Sequence, residues 1–159
     1  MSYARKEYSD FQALAPDAYE AVSTLGRIAA KAGIDQQLLE LIKLRASQIN
    51  GCAFCVQYHI LQAERLGVPI DKLNLVVVWR EAPQFSARER AALDWTEALT
   101  LLTGGVSDEV YEQARAEFSD KELTYLTSAI ASINVWNRFG VAYRWTPPAR
   151  QVAVAAAAS

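Results

Sequence analysis

Histidine occurs once in this chain of 159 residues and cysteine only twice. With so few soft ligands, a structural zinc site built from two separate Cys/His pairs is excluded, because such sites draw their pairs from different loops. Charge of one sign is also missing. Sixteen basic residues against eighteen acidic leave a net charge of −2, which provides neither a basic surface for nucleic acid nor an anionic arm. No apolar run reaches the roughly 18–20 residues that span a bilayer. The opening Met1-Ser-Tyr-Ala-Arg-Lys-Glu-Tyr8 has no apolar h-region. The expectation is a cytoplasmic protein that contacts no membrane. No nucleotide or flavin motif is present, so no cofactor is expected. What remains is 52% hydrophobic and 21% charged, enough to bury the core of a single domain and consistent with an oligomer.

The rare side chains are not scattered. Cys52, Cys55 and His59 fall within eight residues. A helix advances about 100° per residue, so the three share a wedge of roughly 60°. His59 stands one turn after Cys55 on the same side. Asn50-Gly51, just before them, reads as the end of one helix and the entry to the next. Both sulfurs are then expected in a first helical turn, where free N–H groups and the helix dipole favour thiolate.

The rest of the chain reads as helix. After a short polar lead, Pro16 opens a helix that Gly33 closes, with Tyr19, Val22, Leu25 and Ile28 as its apolar stripe. Asp35 caps the next, which runs to Asn50-Gly51. The cysteine helix runs from about Cys52 to Leu66, with Gly67 as its stop. Leu75-Val-Val-Val-Trp79 has strand propensity but no partner strand, so a short helix and a loop through Pro83 are expected. Ser86-x-x-Glu89 and Ser119-x-x-Glu122 are capping boxes. They open helices over Ala91–Thr103, stopped by Gly104-Gly105, and through about Trp145, ended by Pro147-Pro148; a short one from Ser107 to about Phe118 lies between. The fold class is all-α: one domain over 1–148, with a flexible Ala-rich tail over 149–159. Displacement by 84 residues aligns Ala46–Asn50 with Ile130–Asn134, suggesting two related helical hairpins of which only the first carries reactive residues.

A dithiol of this spacing can reduce a peroxide. One thiolate attacks the peroxide oxygen and becomes a sulfenic acid, and the second condenses with it to a disulfide. His59, next to Cys55, can handle the proton, which makes Cys55 the better attacking residue and Cys52 its resolving partner. A carboxylate that orients the imidazole is the natural fourth member. Glu40 can fold back across the Asn50-Gly51 turn; Glu64 is its rival but lies on the opposite side of the helix. Tyr58 and Gln57 are expected to point away, and Trp79, Trp95, Trp136 and Trp145 to be core or interface anchors. Lys43 and Arg45 would add positive potential near the site or merely solvate a helix face.

Glu40, eleven residues, then Cys52-x-x-Cys55-x-x-x-His59 resembles the core motif of the alkyl hydroperoxide reductase D-like branch of the carboxymuconolactone decarboxylase family. The resemblance extends over most of residues 20–145, including Ser86–Thr103 and Ala129–Phe139. It implies an all-helical subunit, a homo-oligomer (trimer or hexamer) and thiol-dependent peroxidase activity on a hydroperoxide substrate. It also implies that Cys55 is peroxidatic, Cys52 resolving, and Glu40 and His59 a proton relay. Electrons would come from a dithiol protein, lipoyl-bearing or thioredoxin-like. The sequence departs from that pattern at Phe54, where the best-known members have a second histidine. The cysteine pair argues against lactone decarboxylation, since the decarboxylase branch generally lacks it. Two other readings stay open. One is acid–base chemistry by Glu40 and His59 on a small carboxylated ring. The other is a zinc-binding or structural module in which Cys52, Cys55, His59 and Glu40 are the ligand set, or the cysteines are buried small hydrophobes.

Overall fold

Short polar side chains, Asp35, Ser86, Ser107 and Ser119, cap half of the helices. The structure, a computed structural model, describes residues 4–150, and the part of the expected tail from 151 onward lies outside them. Among the described residues there are eight α-helices and no strand: α1 (Tyr8–Leu14), α2 (Pro16–Lys31), α3 (Gln36–Ile49), α4 (Ala53–Arg65), α5 (Ile70–Leu75), α6 (Ala87–Leu101), α7 (Asp108–Glu117) and α8 (Asp120–Tyr143). Asp35 accepts from the Leu38 amide at 2.8 Å at the head of α3. Both expected capping boxes are formed, Ser86 with Glu89 and Ser119 with Glu122. Each such cap stabilises its helix by about 1 kcal/mol. The valine run forms a single 3₁₀ turn, Val76–Val78, after α5. β-propensity without a neighbouring ladder leaves the backbone to local hydrogen bonds.

Helix α3 is the centre of the molecule, packed by α4, α6 and α8. Leu38, Leu39 and Ile42 join one core cluster with Trp95, Leu126 and Ile130. Leu41 and Leu44 join a second with Val76, Trp79 and Leu93. At roughly 1.5–3 kcal/mol for each large apolar side chain removed from water, these faces hold α3 in place. The expected anchors Trp79 and Trp95 are core residues, 5% and 7% exposed.

Three expectations are corrected. The N-terminal lead is helical from Tyr8. It was hidden because seven residues with Phe11 alone buried are too few to display a period. Helix α8 ends at Tyr143 rather than Trp145: Arg144 adopts a left-handed conformation (φ 52°), and the Trp145 amide donates to the Gly140 carbonyl at 3.2 Å. This six-to-one bond closes the helix ahead of Pro147 and turns Trp145 back onto α8. Nor is the second repeat a hairpin. Gly51 breaks the first at φ 68°, but the position displaced by 84 is Val135, which does not take that conformation, and α8 runs through it unbroken. The aligned asparagines do meet: Asn50 Nδ2 donates to Asn134 Oδ1 at 2.9 Å.

Candidate active site

The α3–α4 turn places the two cysteines and the histidine. Gly51 takes the left-handed conformation, the Cys52 amide donates to the Ser47 carbonyl at 3.1 Å, and Cys52 becomes the N-cap of α4. Its sulfur accepts from the Cys55 amide at 3.2 Å. Both sulfurs therefore lie at the helix start, as the spacing requires. Cys52 and Cys55 are joined in a disulfide with Cα atoms 5.3 Å apart, within the usual range for such bridges. Both are buried. Gly140 of α8 lies directly against them, since a Cβ built there would stand 2.5 Å from Cys52 Sγ and 3.3 Å from Cys55 Sγ.

One turn after Cys55, His59 reaches across to α3. Its Nδ1 is 2.6 Å from Glu40 Oε2, and Lys43 Nζ donates to Glu40 Oε1 at 2.8 Å. An ionised carboxylate can only accept, so Nδ1 carries the proton and Nε2 is left as an acceptor. Burial pushes the His59 pKa below its ordinary value, outweighing the hydrogen bond and charge of Glu40, and the ring is neutral at pH 7. Burial also opposes the Glu40 charge. The His59 bond and the Lys43 ammonium more than offset it and hold that pKa at about 2. The four residues singled out by spacing thus form one cluster. Glu64 is outside it, paired with Arg150 Nη1 at 2.8 Å. So is Arg45, whose Nε donates to Glu97 Oε1 at 2.6 Å, where Trp79 Nε1 also donates at 2.8 Å.

A cavity of about 280 Å³ opens onto this cluster, lined by Cys55, His59 and Lys43. Cys52 is not among its lining residues; it sits behind Cys55, against Gly140. Tyr8, Phe54, Tyr58, Trp136 and Trp145 form much of the wall. Tyr58 was expected to face away and does not: its ring stands edge-on to His59, centroids 5.2 Å apart at 84°. The signal was available, since a residue at i+3 from Cys55 shares its side of a helix. Trp136 and Trp145 are walls of the cavity as well as packed side chains. The indole N–H of Trp145 is buried with no hydrogen-bond partner among the described residues. Tyr8 and Tyr19 enter from α1 and α2, their hydroxyls 3.0 Å apart. Sequence spacing carries no signal for that pair, because it forms only when α1 folds over α2.

An all-helical chain with a Cys-x-x-Cys at a helix start and a carboxylate-bound histidine one turn on defines an AhpD-like protein. The chain belongs to the carboxymuconolactone decarboxylase family, whose family model matches residues 16–98. It is 32% identical over 130 residues to YdfG, an uncharacterized protein of Bacillus subtilis (strain 168), a match covering 81% of this chain and 88% of that one. A solved structure from Agrobacterium tumefaciens, of a protein of unknown function likened to the antioxidant defence protein AhpD, superposes with a TM-score of 0.85. It is 40% identical and covers 93% of this chain and 100% of its own. The debrominase Bmp8 has the same fold, with a TM-score of 0.78 at 21% identity over 87% of this chain and 75% of its own.

Proposed function

We propose that the protein is a thiol-dependent peroxidase that reduces hydroperoxides through a Cys52–Cys55 dithiol/disulfide cycle. The observation that carries this reading is the position of Cys55. It faces the cavity beside a neutral, Glu40-held imidazole, with its disulfide partner behind it. In the reduced protein, His59 Nε2 takes the Cys55 thiol proton, aided by the amides at the start of α4. The thiolate attacks the distal peroxide oxygen; an S–O bond forms and the O–O bond breaks. The departing alkoxide recovers the proton from His59 and leaves as the alcohol, with Cys55 as the sulfenic acid. The Cys52 thiol then condenses with it, releasing water and forming the disulfide. The peroxide has gained the two electrons that the dithiol lost.

The charge on Glu40 steadies the imidazolium formed between these steps, and Lys43 keeps that carboxylate ionised. Two electrons must return from outside. The donor in this reading is a dithiol protein, lipoyl-bearing or thioredoxin-like, and the working form is a cytoplasmic homo-oligomer, trimer or hexamer. No helix among the described residues is long and apolar enough to cross a membrane.

Thiol titration of the reduced protein before and after one equivalent of cumene hydroperoxide tests the reading. Both thiols should disappear as an intramolecular disulfide, and Cys55→Ser should prevent it. Persistence of both thiols would refute it. Turnover of a carboxylated ring that survives Cys52→Ser with Cys55→Ser would instead assign the chemistry to Glu40 and His59 alone.

A further inference from the structure

The cavity has a size and a wall that its chemistry alone does not require. Its volume of about 280 Å³ falls just below the usual range of ligand pockets, about 300–1,000 Å³. That fits one small organic molecule and leaves hydrogen peroxide largely uncontacted. The wall of the cavity beside Cys55 and His59 is a cage of rings. Phe54 stacks with Tyr58 (centroids 6.1 Å, 13°), meets Trp145 edge-on (5.4 Å, 71°) and lies 5.1 Å from Tyr8. Ring faces and edges set at such angles receive another ring by offset stacking or edge contact.

The cage also carries a pair of hydroxyls. The Tyr8 and Tyr19 hydroxyls carry two protons between them, and their mutual hydrogen bond uses one. Neither hydroxyl has another partner among the described residues, so one phenolic proton is left to donate. Burial, followed by the bond to Tyr19, raises the Tyr8 pKa and keeps that phenol protonated.

Building on the peroxidase reading, we infer that the cavity selects organic hydroperoxides with an aromatic or similarly flat apolar group. In this arrangement the rings of Phe54, Tyr58, Trp136 and Trp145 hold that group, and the Tyr8–Tyr19 hydroxyl pair donates a hydrogen bond to the peroxide. The phenols keep their protons throughout. They fix the O–O axis toward Cys55 Sγ, while His59 remains the group that moves a proton.

The test follows thiol loss in the reduced protein under cumene hydroperoxide, tert-butyl hydroperoxide and hydrogen peroxide, each rate divided by that of free dithiothreitol with the same oxidant. A second measurement titrates 2-phenyl-2-propanol, the unreactive alcohol product, against tryptophan fluorescence. The expected order is cumene, then tert-butyl, then hydrogen peroxide, with saturation for cumene hydroperoxide alone and quenching by the alcohol. Tyr8→Phe and Tyr19→Phe should each slow the cumene reaction roughly three- to tenfold, the factor for one lost hydrogen bond. Equal normalised rates for the three oxidants, or variants indistinguishable from the parent, would overturn the inference and leave the peroxidase reading intact. Failure of every peroxide to consume thiols would remove both.

Discussion

Gly140 is the residue whose replacement most directly tests the packing around the disulfide. In the middle of a helix, alanine is ordinarily better than glycine by about 1 kcal/mol. Here the new methyl would stand 2.5 Å from Cys52 Sγ, 3.3 Å from Cys55 Sγ and 3.5 Å from the Trp145 ring. A disulfide fixes both sulfurs, whereas a free thiol can turn about χ1 and make room. The overpacking cost, about 1–3 kcal/mol, therefore falls mainly on the oxidised form, and the propensity gain is common to both. Gly140→Ala should raise the reduction potential of the pair by roughly 20–60 mV, at 30 mV per 1.4 kcal/mol. Equilibration with a series of dithiothreitol ratios, read by thiol alkylation, measures the shift. Denaturant midpoints of the oxidised and reduced variant should move apart correspondingly, the oxidised being the less stable relative to the parent. A potential that is unchanged or more negative would refute the argument.

The proposed relay makes two further predictions. Glu40→Gln keeps the shape but removes the charge that steadies His59, and should slow thiol oxidation by about a hundredfold, the low end for positioned acid–base groups; stopped-flow thiol loss at pH 7 measures it. Stability should fall with acid for a stated reason. The depressed Glu40 pKa contributes stability that is complete above its ordinary 4.5 and is lost as pH falls toward about 2. The depressed His59 pKa contributes stability complete above its ordinary 6.5 and lost as pH falls below that value. Urea midpoints from pH 7 to pH 3 should therefore decline less steeply in Glu40→Gln with His59→Gln than in the parent. Parallel slopes would mean that the pair is not the source.

What the sequence disclosed was what neighbouring turns decide. Cys52, Cys55 and His59 sit on one helix, and Glu40 is separated from them by a single glycine-broken turn, so their meeting follows from local geometry. The capping boxes at Ser86 and Ser119 are local in the same way. The missing parts are those that distant segments bring. Tyr8 reaches Trp145 and Phe54 only because α1 folds back across them. Trp145 packs against Gly140 only because Arg144 reverses the chain. Gly140 looks like an ordinary helical glycine until Cys52 is laid against it. Tyr58 was within reach of periodicity and escaped because the cysteine face was drawn too narrowly.

The unbroken course of α8 supplies one side of the cavity from a part of the chain remote from the cysteines. Glu40, Cys52, Cys55 and His59 all come from the α3–α4 hairpin, whereas Ser132, Ile133 and Trp136 come from α8 and Trp145 from the turn that ends it. None of these four wall residues hydrogen-bonds to the reactive cluster. Their identities can thus drift, in nature or in a combinatorial library, without altering the bonds that hold the imidazole and the sulfurs. A gene encoding this fold can reshape one side of the cavity by changing α8 alone, with the α3–α4 hairpin inherited intact.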